Sequence, residues 1–219
     1  MKKWLKWGCA AAAGVYACFG LALLFLRVVD PPVTMVHVQR RVESWFEKGS
    51  YQKEYEFVPL RRIAPDLQHA VIAAEDGRFY QHHGVDFDEM KKVYDEHTEK
   101  GKRLRGGSTI TQQLVKNLFF TTHRSSLRKI PEYALTPLAE LVLGKQRILE
   151  LYLNVIEWGP GVYGAEAAAQ HHYKTSAAKV SREQAARLAA VIPDPRRRKP
   201  GRMNDYSAEI QDRMARMGW

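Results

Sequence analysis

Two acidic residues stand side by side where an apolar helix is predicted to end. Glu75 and Asp76 follow apolar residues at helical spacing, and Gly77 permits the left-handed turn that ends many helices. The helix dipole disfavours negative charge at this end, so the placement costs free energy and points to a function. A carboxyl group held there among apolar residues would have a raised pKa, which suits a general base. A plain helix cap with a surface salt bridge to Arg78 is the alternative.

A second polar group begins another predicted helix. Residues 106–117 read Gly-Gly-Ser-Thr-Ile-Thr-Gln-Gln-Leu-Val-Lys-Asn, and glycines and hydroxyl groups before a helix offer backbone N–H groups to an anion. The spacing is not that of a P-loop. One face of this helix is polar and lies opposite an apolar stripe. The polar residues are Gln112, Gln113, Lys116 and Asn117, and the stripe is Ile110, Leu114 and Leu118. Taken alone, the pattern also fits a capped amphipathic helix.

The third group combines two basic residues with another acid. Pro131 fits best as the first residue of a helix, which would place Glu132 in the first turn, where the helix dipole favours a carboxylate. Arg128 and Lys129 precede this acid, and such a cluster would suit a phosphate-bearing leaving group. A capped helix start without any chemistry would have the same sequence.

The elements that must position these groups are predicted to be helices. Apolar residues recur at helical spacing from Pro65 onward, and no clean alternating run of six residues indicates a strand. Asp66 is predicted to cap the first of these helices, and capping boxes are predicted at Asp86, Thr109 and Ser181. Two further apolar stripes are Ile148, Leu151 and Tyr152, and Leu188, Val191 and Ile192. The prediction is a single, mostly α-helical domain.

The first 26 residues determine the predicted compartment. Residues 7–26 carry no charge, and a helix needs ~20 residues to cross the hydrocarbon core of a membrane. Three lysines precede this run, so the positive-inside rule places the N-terminus in the cytoplasm. A cleaved signal peptide is the alternative, but its apolar region spans only about 7–15 residues, so we expect an uncleaved signal-anchor. Cys9 and Cys18 both lie in this run, which excludes thiol and disulfide chemistry from the exported part.

Composition supports a folded, basic chain. It has 219 residues, of which 45% are hydrophobic, and a formal net charge of +10. The hydrophobic share is enough for a core, and the charge indicates a polyanionic partner without choosing among nucleic acid, lipid headgroups and a phosphorylated substrate. The basic run 196–199 is predicted to be solvated or to face lipid. The predicted divisions are a cytoplasmic tail (1–6), a transmembrane signal-anchor (7–26), a stem leading into the domain (27–60) and the domain itself (61–219).

Five motifs follow one another along roughly residues 60–200. They are Glu75-Asp-x-x-Phe-x-x-His-x-Gly84, Gly107-Ser-Thr-Ile-Thr-Gln-Gln113 with Lys116-Asn117, Arg128-Lys-x-x-Glu132, Ile148-Leu-Glu-x-Tyr-Leu-Asn154, and Gly164-Ala-Glu-Ala-Ala-Ala169. In this order they resemble the peptidoglycan glycosyltransferase family. The signal-anchor, without a transpeptidase domain, resembles the monofunctional members. The resemblance implies a lysozyme-like, mostly α-helical fold and an enzyme that polymerises lipid II.

The resemblance also implies roles for single residues. Glu75 would be the general base that takes the proton of the GlcNAc 4-hydroxyl of lipid II, which attacks C1 of the donor MurNAc with inversion. Glu132 would help to stabilise the departing undecaprenyl pyrophosphate. The implied cationic partners are Lys116, Arg124 and Arg128. The other implied substrate contacts are Asp76, Phe79, His82, Ser108, Thr109, Gln112, Gln113, Asn117 and Lys129.

The remaining implications concern cofactors, partners and location. No tightly bound cofactor is expected, and the resemblance leaves room for a divalent cation, Mg²⁺ or Mn²⁺. The expected partners are lipid II, the growing glycan strand and membrane lipids, with other cell-wall synthesis and division proteins as candidates and no nucleic acid. The expected location is the bacterial inner membrane, with a single membrane span and the catalytic domain in the periplasm.

Two positions depart from the family pattern, and two rival functions stay open. Pro131 stands where a lysine is common, and His172-Tyr173 stands where the fifth motif usually ends in Tyr-Phe. A muramidase-type hydrolase would also need two carboxylates, but it has no use for a pyrophosphate-binding cluster. A non-catalytic membrane scaffold would not need the polar face of residues 112–117.

Overall fold

Helices dominate the computed structural model, which describes residues 2–47, 51–100, 107–123 and 126–219. The helices are α1 (Lys2–Leu26), α2 (Met35–Glu43), α3 (Pro65–Glu75), α4 (Phe87–Lys100), α5 (Ile110–Phe119), α6 (Ser126–Val155), α7 (Ala165–Tyr173), α8 (Arg182–Ala189) and α9 (Asn204–Arg216). The mostly α-helical prediction is confirmed. Arg124, an expected cationic partner, lies outside the described residues.

A small sheet accompanies the helices. Its strands are β1 (Glu54–Tyr55), β2 (Glu157–Gly159) and β3 (Val162–Tyr163). β3 lies in the middle, parallel to β1 and antiparallel to β2. Gly161 has φ +79°, and a Cβ there would lie 2.4 Å from the carbonyl oxygen of Gln52, so the turn before β3 requires glycine. Strands of two or three residues leave no alternating pattern, which is why none was predicted.

The core lies between α3, α5, α6 and α8. α5 packs along α6, and α3 packs against α8 and α9. The predicted stripes on these helices are buried. Val191 and Ile192 are also buried, although they follow the end of α8 at Ala189. Periodicity therefore identified the inward faces correctly and one helix end incorrectly.

Two predicted helix starts differ from the structure. Asp66 does not cap α3, because Pro65 is the first helical residue and suits that position with its fixed φ and missing N–H. Pro131 does not begin a helix but lies inside α6, so Glu132 is not in the first turn. A proline this close to a helix start removes only one backbone hydrogen bond. The capping boxes predicted at Thr109 and Ser181 are both present.

The N-terminal helix α1 includes Lys6–Leu26, a segment long and apolar enough to cross a membrane. Its C-terminal half packs against the domain. The Tyr16 hydroxyl donates to the carbonyl oxygen of Ala134 at 3.0 Å, and the Phe19 and Phe119 rings lie 5.1 Å apart. The anchor therefore has one face on the domain, while most of its surface is exposed.

The segment 27–60, predicted as a stem, contains α2 and β1. Val36 and His37 on α2 are buried, and the His37 ring lies 4.2 Å from the ring of Tyr163 in β3. Arg147 on α6 donates to the carbonyl oxygen of Val29 at 3.0 Å. This segment is thus packed on the domain over much of its described length.

Candidate active site

A cleft of about 770 Å³ opens where the C-terminal end of α3 meets the N-terminal end of α5. Helix α9 and the loop after α8 form its opposite wall. Five of the predicted site residues line it, namely Glu75, Asp76, Ser108, Thr109 and Gln113. Residues far apart in the sequence therefore converge on one cavity, as the first two motifs predicted.

Glu75 ends α3 and is held by a chain of hydrogen bonds. The Gln113 side-chain amide on α5 donates to Glu75 Oε2 at 2.7 Å. The Tyr152 hydroxyl on α6 donates to the Gln113 amide oxygen at 2.9 Å, which turns the amide N–H groups toward Glu75. Tyr152 is fully buried, so this chain starts in the core and ends in the cleft. Among the described residues, no hydrogen-bond donor contacts the other carboxylate oxygen of Glu75, Oε1.

The surroundings of Glu75 perturb its ionisation. Burial raises the pKa of the Glu75 carboxyl, and the neighbouring Asp76 carboxylate acts in the same direction. The hydrogen bond from Gln113 and the charges of Lys116 and Arg198 oppose this rise. The net pKa is raised, in the direction expected of a general base.

Asp76 has a different role, because all its contacts are internal. Its carboxylate accepts from His82 Nε2 at 2.9 Å and from the backbone N–H of Ile110 at 3.0 Å. His82 Nδ1 accepts from the backbone N–H of Gly84, so Nε2 carries the proton. Asp76 therefore ties the end of α3 to the start of α5. His82, expected among the substrate contacts, is instead a buried partner of Asp76.

The alternative interpretation of Glu75 and Asp76 as a cap with a salt bridge to Arg78 does not fit these contacts. Arg78 lies 2.8 Å from Asp88 and 3.5 Å from Asp86, both at the start of α4. Neither acid at the end of α3 has an ion pair with it in the described structure.

The second acid, Glu132, lies in a cationic cluster on α6. It is 1% exposed, and Arg128 donates to its Oε1, while the Lys129 ammonium lies 3.0 Å from its Oε2. Residues three and four apart share one helix face, which explains both pairs. Lys129 also donates to the Ser108 hydroxyl at 3.2 Å, which links α6 to the glycine-containing loop before α5.

Lys116 connects the two acids electrostatically. Burial lowers the pKa of its ammonium group, and the charges of Arg128 and Lys129 add to that effect. The carboxylates of Glu132 and Glu75 both act to raise the pKa of the same group. Lys116 is therefore within electrostatic range of both acids, although neither Lys116 nor Glu132 lines the cleft that contains Glu75.

Three expected substrate contacts lie behind the cleft. Phe79 is fully buried, with the Lys145 ammonium 4.4 Å from the centre of its ring. Gln112 completes the capping box of α5, and the Asn117 amide donates to the backbone oxygen of Gln113. Each of these side chains is buried and supports the helices that carry the site, and its contact with substrate stays a prediction.

The opposite wall contains residues that were not predicted to belong to the site. Arg198, Tyr206, Arg213 and Arg216 line the cleft. The guanidinium groups of Arg198 and Arg213 lie 5.5 and 5.9 Å from the centre of the Tyr206 ring. Tyr206 and Arg213 are seven residues apart and so lie on one face of α9, a periodicity that could have identified them.

The prediction that the basic run 196–199 is solvated or faces lipid is therefore wrong for Arg198. Arg198 lines the cleft and donates to the carbonyl oxygen of Ala190 at 2.9 Å. Arg196 pairs with Glu47 at 2.8 Å. Arg197 is exposed, as expected of a solvated residue. Local composition could not separate Arg198 from its exposed neighbours, because only the packing of the loop against α9 places Arg198 in the cleft wall.

One cluster among the described residues has the geometry of a metal site. Ligand atoms of Asp76, His82 and Asp86 lie within 4.8 Å of one another. Asp76 and His82 already bond to each other, and Asp86 accepts the backbone N–H of Glu89 at 2.9 Å. A magnesium ion prefers an all-oxygen shell with several waters, and these three residues are buried. They do not fit Mg²⁺, and a divalent cation in this protein stays a prediction.

Known proteins match this chain over most of its length. The pattern of a family described as Transglycosylase matches residues 41–217. A "Biosynthetic peptidoglycan transglycosylase" of Pseudomonas syringae pv. tomato is 42% identical over 219 residues, covering 100% of this chain and 87% of the relative. A protein of the same description from Xanthomonas axonopodis pv. citri is 45% identical, and the match covers 98% of this chain and 89% of the relative. Another from Pseudomonas fluorescens is 50% identical, and the match covers 80% of this chain and 73% of the relative.

Proposed function

Because the chain belongs to the transglycosylase family, we propose a mechanism in which Glu75 is the general base and the cluster around Glu132 receives the leaving group. The protein is a peptidoglycan glycosyltransferase that polymerises glycan strands. The proposal adds the substrates' chemistry and the role of each residue.

The donor would be the growing strand attached to undecaprenyl pyrophosphate, and the acceptor would be lipid II. The 4-hydroxyl oxygen of the acceptor GlcNAc attacks C1 of the donor MurNAc, and its proton passes to Glu75. The bond between C1 and the pyrophosphate oxygen breaks, and the pyrophosphate leaves with the electron pair. Attack opposite the leaving group inverts the configuration at C1.

The observation that carries this proposal is the hydrogen-bond chain from Tyr152 through Gln113 to Glu75. The chain occupies one carboxylate oxygen and fixes the direction of the other. A raised pKa makes this carboxylate a stronger base than an exposed one. Preorganisation of this kind lowers the cost of orienting the base in the transition state.

The departing pyrophosphate is an anion, so cationic groups are needed to stabilise it. Lys116, Arg128 and Lys129 place three cationic groups around Glu132, and fixed cations stabilise a departing pyrophosphate without reorganisation. Before substrate binds, Glu132 compensates part of that charge and holds the Arg128 guanidinium in place. This pairing supports a positioning role for Glu132.

The same pairing disfavours a muramidase-type hydrolase. Such an enzyme uses its second carboxylate as a nucleophile or as the base that activates water. Both oxygens of Glu132 face cations, so this carboxylate is poorly disposed for either role. Polymerisation of lipid II by the purified protein distinguishes the enzyme from a non-catalytic scaffold.

We also propose the membrane arrangement of the protein. Helix α1 would anchor it in the inner membrane, with the lysines before the apolar run in the cytoplasm and the domain in the periplasm. An anchored enzyme and a lipid-linked substrate share one surface, which raises their effective concentration.

The first prediction tests the base. Glu75→Gln keeps the shape of the side chain but cannot take a proton, so polymerisation of labelled lipid II by the full-length protein should fall by ~10²–10⁴-fold. The melting temperature should stay level or rise, because the substitution removes a charge from the negative end of α3.

The matched control is Glu183→Gln, an exposed acid on α8 away from the cleft, which should retain the wild-type rate. Polymerisation by Glu75→Gln at that rate would exclude the proposed mechanism. Release of soluble sugar fragments from preformed strands by the wild-type protein would instead identify a hydrolase.

A further inference from the structure

Helix α2 has an apolar face that the rest of the described protein leaves uncovered. Five side chains form it, and their exposed fractions run from 40% for Val42 to 85% for Phe46. We call them the outer face of α2: Met35, Val38, Val42, Trp45 and Phe46. At 100° per residue they fall within an arc of about 100°. Backbone hydrogen bonds from Trp45 to Val42 and from Phe46 to Glu43 continue the last turn, so both aromatic residues belong to this face.

The other side of α2 fixes the helix on the domain. Gln39 donates to the Thr122 hydroxyl at 2.8 Å and accepts the Thr122 backbone N–H at 2.7 Å. Arg40 donates to Glu157 on β2 at 3.0 Å. With this side bonded to two separate parts of the domain, the outer face cannot turn inward.

The position of α2 relative to α1 indicates what the outer face meets. Thr122 follows Phe120 by two residues, and the Phe120 ring lies 5.9 Å from the ring of Phe19 on α1. Phe19 lies seven residues before the end of α1 at Leu26, about 10 Å along a helix with a rise of 1.5 Å per residue. α2 is therefore docked beside the outer end of the candidate membrane span.

We propose that the outer face of α2 is a second membrane contact, seated in the headgroup region of the leaflet from which α1 emerges. Tryptophan and other aromatic side chains favour that region, and an amphipathic helix lies there with its apolar face buried ~5–10 Å. The occupant is the lipid surface itself. The inference rests on the proposed membrane anchoring by α1 but not on the roles of Glu75 and Glu132.

This contact would set the orientation of the cleft. One membrane span permits the domain to tilt against the bilayer surface, whereas a second contact beside the span restricts that tilt. Glu47, which follows the outer face, pairs with Arg196, two residues before Arg198 in the cleft wall. Through this ion pair, the lipid contact of α2 would help to hold the cleft wall opposite Glu75 in place relative to the membrane.

Depth-dependent quenching tests the proposal on the full-length chain. In a background with Cys9→Ser and Cys18→Ser, a single cysteine replaces Phe46 and carries an environment-sensitive NBD fluorophore. The protein is reconstituted in vesicles of phosphatidylethanolamine and phosphatidylglycerol that contain lipids with a nitroxide near the headgroup or near the end of the acyl chain. The headgroup nitroxide should quench position 46 several-fold more strongly than a control probe at Tyr94→Cys. Tyr94 is a matched control because it is an aromatic residue, 63% exposed, on α4.

A second position and an anchor probe make the outcome decisive. Val42→Cys lies one turn earlier on the same face and should behave like position 46, so a local disturbance at one position does not decide the result. Leu21→Cys reports α1, where it is exposed, and should be quenched by the deeper nitroxide. Quenching at 21 with none beyond the control at 42 and 46 overturns the proposal and leaves the anchor intact.

Two other outcomes also overturn it. In the first, neither iodide in the water nor either nitroxide quenches the probes at positions 42 and 46. That result would show that a protein surface, such as a second copy of the chain, covers the outer face of α2. No quenching at 21, 42 or 46 would refute the anchor together with the second contact. Polymerisation is not measured, so a failed assignment of Glu75 would leave these results unaffected.

Discussion

At the scale of single residues, the two acids of the site differ in what surrounds them. Glu75 has one neutral hydrogen-bond donor and a raised pKa, whereas both oxygens of Glu132 face a cation. The first environment favours proton uptake, whereas the second holds the carboxylate against two cations. Opposite environments of this kind assign different roles to two carboxylates of the same chemical type.

The pH dependence of the reaction should follow from the groups around Glu75. The base must be ionised to act, so kcat/KM should rise with pH through its pKa, which lies above the ordinary carboxyl value. The hydrogen bond from Gln113 and the charge of Arg198 both favour the ionised form. Gln113→Ala or Arg198→Gln should therefore shift the acidic limb of the pH profile to higher pH.

Initial rates of lipid II polymerisation across a pH series measure this shift, with Arg197→Gln as the control. Arg197 is the exposed neighbour of Arg198, and its replacement should leave the limb in place. A limb that stays fixed in the Gln113 and Arg198 variants would show that another group titrates there.

The ion pairs of Glu132 can be separated into structural and catalytic parts. Arg128→Gln leaves a buried carboxylate with one cation fewer, and breaking a buried pair costs about 3–5 kcal/mol of stability. Arg128→Gln with Glu132→Gln removes the uncompensated charge, so the melting temperature should recover while turnover stays low. Thermal melts and polymerisation assays of both variants test this. Recovery of turnover along with stability would remove Arg128 from the proposed leaving-group site.

At the scale of elements, the site depends on the junction between α3 and α5. Asp76 accepts the backbone N–H of Ile110, the first residue of α5, and also bonds to His82. Asp76→Asn removes the charge that strengthens both bonds, and charge-assisted hydrogen bonds contribute about 1.5–3 kcal/mol. We expect a lower melting temperature and reduced polymerisation together.

Glu75→Gln supplies the comparison for that variant, since it should lower activity without lowering stability. Asp76→Asn with wild-type stability and strongly reduced turnover would show instead that Asp76 acts directly on the substrate.

The features that could be predicted from the sequence are those encoded locally. The stripe on α5 and the capping boxes at Thr109 and Ser181 involve residues within one or two helical turns, and all are present. The sheet depends on pairing between segments far apart in the chain, and the cleft wall at Arg198 depends on how a loop packs against α9. Long-range packing of this kind leaves no periodic signal.

The motifs identified residues that line the cleft together with residues that are buried behind it. Glu75, Gln113 and Ser108 do line the cleft. Phe79 and His82 were grouped with them because they belong to the same motif, but both are buried supports. A motif preserves the residues that build a site as well as those that face its ligand, and spacing alone does not distinguish the two.

At the scale of the whole molecule, the anchor and the domain are packed together. Leu23 is fully buried against the domain, although it lies in the apolar run that a signal peptidase would remove if the segment were cleaved. Leu26 is also buried, and its carbonyl oxygen accepts from Arg147 on α6 at 2.9 Å. Loss of α1 would expose the rings of Phe119 and Phe120 that it covers. These contacts favour an uncleaved anchor.

The last prediction tests this packing with two leucines of the same helix. Leu23 faces the domain and Leu21 is exposed, so the two differ in surroundings and not in chemistry. In the detergent-solubilised full-length protein, Leu23→Ala should cost about 2–5 kcal/mol of stability, as buried leucines do, while Leu21→Ala should have little effect. Mass spectrometry of the membrane-purified protein should find the N-terminal residues retained after carbonate washing. Equal melting temperatures for the two variants would contradict the packing of α1 on the domain, and a mature N-terminus near residue 30 would show that the segment is a cleaved signal.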